Sequence, residues 1–188
     1  MKKNVFNTTD TKKSKSTLIS FVIRIWTLHA LAFVAYIILL TALVPIIGDT
    51  AGAVITSILS TVIFVIFTYL EGWKTAFRDA NLIHTGRISA NKFKSVEAAF
   101  LSQLPGIALA VMMLLPSPPV FVNNFIRYFY MFAAYAINTL AQSSAFAYFI
   151  PVAVPFITVI LGYELGLRDI RLVNILVYRR PGSQDELR

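Results

Sequence analysis

The chain has 188 residues, of which 57% are hydrophobic and only 14% charged. A soluble globular domain carries about a quarter charged residues, so that class is excluded and an integral membrane protein is expected. Cysteine is absent, which excludes disulfides and thiol chemistry, and the formal net charge is +8.

The positive excess fits basic loops lying against anionic headgroups, worth about 1 kcal/mol for each Lys or Arg near the surface. No basic-aromatic reading surface lies outside the apolar segments, so nucleic acid is not an expected partner.

Residues 1–16 are polar, with Lys2, Lys3, Lys12, Lys13 and Lys15. Nothing there can bury a core, so the composition predicts a disordered basic tail. The apolar run behind it is too long for a cleaved leader, so an uncleaved anchor is expected. Ser16 is placed to cap a helix starting at Thr17. No charge occurs from Ile25 to Ile47, and a helix of that length covers about 35 Å, enough for a hydrocarbon core of about 30 Å. Arg24 and Trp26 suit the headgroup level. His29 lies one turn deeper, and no second ligand is spaced to join it in a metal site.

Gly48 to Gly52 reads as a short turn, and Ala51 to Leu70 as a second uncharged span. Its β-branched residues would favour strand in water, but an open strand in lipid leaves backbone groups unpaired, so helix wins. The short turn predicts an antiparallel hairpin. Glu71 to His84 should continue this helix beyond the membrane, until Gly86, Ser89 and Asn91 break it. Ser95 and Glu97 read as a cap and a first-turn acid. A third span follows from about Val96 to Leu115, with a kink expected at Pro105, and Pro116, Pro118 and Pro119 end it.

No charge occurs from Tyr128 to Tyr163. One helix of that length would be about 54 Å, too long to cross once. Either two short spans fit there, or residues 121–144 lie at the outer surface and only Ala145 to Tyr163 crosses. The first part holds Phe125, Tyr128, Phe129, Tyr130, Phe132 and Tyr135, the composition of an interfacial belt. Charge decides between these. Four spans put all but Arg127 of the 17 basic residues on one side, which the positive-inside rule makes cytoplasmic, together with both termini. Pro151 and Pro155 are expected to kink the last span or to break it into a solute path.

One pattern occurs twice. Tyr69-Leu-Glu71-Gly72 is followed by Arg78-Asp79, and Tyr163-Glu164-Leu-Gly166 by Arg168-Asp169. Each copy follows a pair of spans, so the two halves read as parallel repeats about an axis along the membrane normal. Such an axis would bring Arg78 to Asp169 and Asp79 to Arg168.

No acid or base lies in mid-span, as ion-coupled transporters usually require. There is no nucleotide-binding glycine loop, no zinc-protease pair and no serine-nucleophile elbow. The expectation is therefore an all-α integral membrane protein of the cell membrane with four transmembrane helices. These form two parallel-repeat hairpins, with an aromatic-rich interfacial helix before the last span. The units are a tail at 1–16, a first hairpin and loop at 17–95, a second hairpin at 96–173 and a cytoplasmic tail at 174–188. The candidate site is Glu71, Arg78, Asp79, Glu164, Arg168 and Asp169, for docking or for lipid headgroups. No catalytic group, metal or cofactor is expected. The expected function is a non-enzymatic accessory or scaffold component whose partners are anionic lipid and a membrane or cytoplasmic protein. The alternative is a small transporter or channel for a neutral or amphiphilic solute, using the kinks at Pro105, Pro151 and Pro155.

Overall fold

The computed structural model describes residues 4–117, 119–130 and 145–168. Its elements are α1 (Asn4–Ile47), α2 (Asp49–His84), α3 (Lys94–Met112), α4 (Val120–Phe129), a 3-10 turn (Ala145–Phe149) and α5 (Ile150–Leu167). Among the described residues, four helices are long and apolar enough to cross a membrane: 17–47 within α1, α2, α3, and the stretch 147–167 that ends in α5. Helix is what lipid demands, because every backbone N–H and C=O must then find its partner within the segment. The helical backbone of α1 starts at Asn4, ahead of Thr17, so residues 4–16 continue the first span where composition argued for an unstructured tail.

The α1–α2 hairpin turns at Gly48, whose φ of 99° is one that side chains rarely adopt. Gly52 lies so close to α1 that a Cβ there would stand 2.8 Å from the Val44 Cα. From that turn α2 runs back beyond the span, as Glu71 to His84 was expected to do.

Close packing needs small residues, and α2 supplies them roughly one turn apart. Gly52, Thr56, Ser60, Thr68, Gly72 and Ala76 are all buried, with Phe64 between Ser60 and Thr68 and Asp79 after Ala76 in the same row. On α5 the matching row is Pro155, Val159, Gly162 and Gly166. A Cβ on Gly162 would run into the Tyr69 carbonyl, and one on Gly166 would stand 2.6 Å from the Trp73 carbonyl. Interfaces of this kind rely on van der Waals contact, because lipid offers no hydrophobic drive between helices. Partner positions rise together along both helices, so α2 and α5 run parallel. The same holds for α1 and α3, where Lys94 meets Thr17 and Trp26 meets Ser102. The start of α1's apolar span, the end of α2, the start of α3 and the end of α5 therefore share one end of the bundle.

α4 turns back from the end of α3. Val122, Ile126 and Tyr130, spaced four apart, are fully buried, while Val120, Phe121 and Phe125 are exposed. The Tyr130 hydroxyl donates to Gln103 Oε1 at 2.8 Å, and its ring occupies the space a Cβ on Gly106 would need. The end of α4 thus reaches the middle of α3 rather than its end. The remainder of the aromatic segment, 131–144, lies outside the described residues.

Pro105 and Pro155 sit inside α3 and α5, whereas Pro151 opens α5 in its first turn, where a missing N–H leaves no helical bond unmade. Pro151 is accordingly a helix start and not an interruption.

Candidate functional site

The end of the bundle where the four spans meet holds a buried ion pair. Asp79 extends the row of small residues on α2, which directs its carboxylate into the packed side of the helix. Lys94 is the first residue of α3, and its Nζ lies 2.6 Å from Asp79 Oδ2. The same ammonium donates to Thr17 Oγ1 on α1 at 3.0 Å. The Tyr163 hydroxyl on α5 donates to Asp79 Oδ2 at 2.9 Å. Asp79 is 0% exposed and Lys94 4%. One carboxylate and one ammonium thus tie all four spans at a single point. Burying two charges is unfavourable, and it persists here because the charges pair and gain further hydrogen bonds. Asp79 Oδ1 is buried and makes no hydrogen bond among the described residues.

Around this pair three further acids among the described residues are hydrogen-bonded. Glu71 Oε1 accepts from Arg24 at 2.9 Å, with Arg24 46% exposed and Glu71 18%. Glu164 Oε1 accepts from Ser95 at 3.3 Å, and Glu97 Oε2 from Asn91 at 3.3 Å. Ser95 is therefore not the cap of α3. The chain enters that helix through Asn91, whose side-chain oxygen accepts the Phe93 N–H at 3.0 Å. Glu97 does fall in the first turn, where an acid favours the helix dipole.

The candidate residues thus separate. Asp79 and Glu164 are drawn together with Lys94, Ser95 and Tyr163, and Glu71 is tied to α1. Arg78 points aside from Asp79, as neighbours on a helix do. Its Nε is buried without a hydrogen-bond partner among the described residues. The Asp79–Arg168 half of the expected pairing is replaced: Asp79 takes Lys94 and Tyr163, while Arg168 is the exposed cap at the end of α5. Asp169, the other half of that pairing, lies outside the described residues.

Lys94 and Thr17 were not expected here, because sequence order places Lys94 with the loop cations and Thr17 at the mouth of a span. The signal for Asp79 was present: it continues the spacing of Gly72 and Ala76. Nothing in linear order names the cation that faces it.

A second set of buried polar groups lies deeper. His29 Nδ1 is 3.0 Å from the Ile25 carbonyl, and its ring meets Phe64 edge-on at 4.7 Å between centroids. Tyr130 lies 6.1 Å from it, and Gln103 and Ser102 complete the level. Trp26 Nε1 donates to the Ser102 carbonyl at 2.9 Å, close to the turn that Pro105 deprives of an N–H donor. Among the described residues no three His, Cys, Asp or Glu side chains are grouped to hold a metal.

Comparison with protein-family models, with curated proteins and with solved structures returns no match.

Proposed function

We propose that this protein is a non-enzymatic membrane scaffold that presents a basic face at the end of the bundle holding the Asp79–Lys94 pair. The observation that carries this reading is where the acids of that end go. Among the described residues, Asp79 and Glu71 are paired with cations, while Glu164 and Glu97 hydrogen-bond neutral side chains and keep their charge. Lys74, Arg87, Lys92 and Arg168 are exposed, and none of them forms an ion pair among the described residues. The outward field at this end is therefore positive, which suits anionic headgroups and the acidic surface of a protein partner. With the basic end on the cytoplasmic side, both termini are cytoplasmic. The two Tyr/Glu/Gly stretches then arise from parallel repeats, and the aromatic segment before the last span sits near the outer interface.

The test is cross-linking and co-purification of the full chain from native membranes, beside Arg87→Glu/Lys92→Glu. A stoichiometric partner held by the wild type and lost from the variant is expected. A chain that purifies alone from both sources would contradict docking.

The transporter reading draws on one observation, the buried polar level of His29, Ser102, Gln103 and Tyr130 beside Pro105. It requires solute-dependent flux in proteoliposomes that Gln103→Leu abolishes.

A further inference from the structure

The outward face of α2 carries two ladders side by side. Trp73 and Phe77, one turn apart, stack with ring centroids 5.3 Å apart and planes at 9°. Lys74 and Arg78, also one turn apart, run beside them. Toward the span, Ile66 and Phe67 continue this face and are 50% and 44% exposed. Neither cation forms an ion pair among the described residues: Asp79 is directed away and taken by Lys94, and Glu71, two turns before Arg78, is held by Arg24. Lys74 is exposed and Arg78 half-buried, so both can reach the headgroup level.

We propose that this face holds an anionic glycerophospholipid of the adjoining leaflet. An acyl chain lies along Ile66 and Phe67, the glycerol region meets the Trp73–Phe77 stack, and the phosphate sits between Lys74 and Arg78. The chemistry selects this occupant. Aromatic rings at the end of an apolar face suit the headgroup level, and a guanidinium donates its N–H groups to phosphate oxygens in a fork. The site rests on the reading that this basic end lies at the headgroups, but it is separate from the loop cations Arg87 and Lys92 assigned to a protein partner.

The full chain, purified in mild detergent, is titrated with phosphatidylglycerol and with phosphatidylcholine, and bound lipids are counted by native mass spectrometry. Wild type should retain phosphatidylglycerol in preference to phosphatidylcholine. Lys74→Gln/Arg78→Gln should lose affinity by about fivefold for each cation removed. Arg87→Gln/Lys92→Gln should bind as wild type does. Lys74→Gln alone, at an exposed position, carries the test if the double variant fails to keep its circular dichroism. Equal retention of both lipids, equal loss in the loop variant, or no loss in the Lys74 and Arg78 variants would each overturn the site. The loop variant also separates the two readings, since loss of a protein partner with lipid retained leaves this site standing.

Discussion

Asp79 is a carboxylate buried at the end of a membrane-spanning helix, and its charge is tolerable because Lys94, Thr17 and Tyr163 assemble around it. Removing one member leaves the other charge buried and unpaired. Lys94→Met is expected to destabilise the protein by about 3–5 kcal/mol. Pairing it with Asp79→Leu should recover most of that loss, because two apolar groups replace two charges. Unfolding in mild detergent, followed by circular dichroism, reads both effects. Singles that change stability by less than about 0.5 kcal/mol would show that the pair is not buried as described. Tyr163→Phe removes one hydrogen bond to a charged group and keeps the ring stacked on Phe21, so a loss of about 1.5–3 kcal/mol is expected. Arg24–Glu71 is the contrasting case. Arg24 is 46% exposed, so Glu71→Gln should change stability by about 0.2–1 kcal/mol.

Between helices, the α2–α5 crossing depends on the absence of side chains. A Cβ at Gly162 meets backbone, the carbonyl of Tyr69, which has no rotamer to escape into. Gly162→Ala should therefore destabilise by about 1–3 kcal/mol. Gly86→Ala makes a useful comparison. There the space is open and the penalty comes from a φ of +66°, about 1–2 kcal/mol, which Asn should partly relieve. Thermal unfolding of the three variants checks this, and a neutral Gly162→Ala would mean that α2 and α5 do not cross so closely. The spans themselves could be read from the sequence, because Ile25–Ile47 and Ala51–Leu70 carry no charge and lipid leaves helix as the open-chain option. The extension of α2 past Leu70 was readable from the lack of any proline or glycine cluster before Gly86. The path of α4 was not. Val122, Ile126 and Tyr130 face inward while Phe121 and Phe125 stay exposed, and which side of a short helix is buried depends on the neighbours it meets.

At the scale of the molecule, two parallel pairings, α1 with α3 and α2 with α5, bring one end of each span together. That convergence explains why the repeated stretches matter structurally although Asp79 does not pair with Arg168 as their order suggested. Tyr69 and Gly72 lie against Gly162 and Tyr163, but Asp79 reaches past Arg168 to Lys94, a residue outside both copies. Charge counting could not assign partners at this end because pairing is a property of packing. The central claim is that both hairpins return to one basic face on the cytoplasmic side. The chain has no cysteine, so single cysteines can be placed at will: Ser89→Cys between α2 and α3, Ser117→Cys between α3 and α4, and one appended after Arg188. Labelling with a membrane-impermeant maleimide should mark Ser117→Cys in intact cells, and the other two only after permeabilisation. An appended cysteine labelled in intact cells would contradict the four-span account and put the last helix the other way across the membrane.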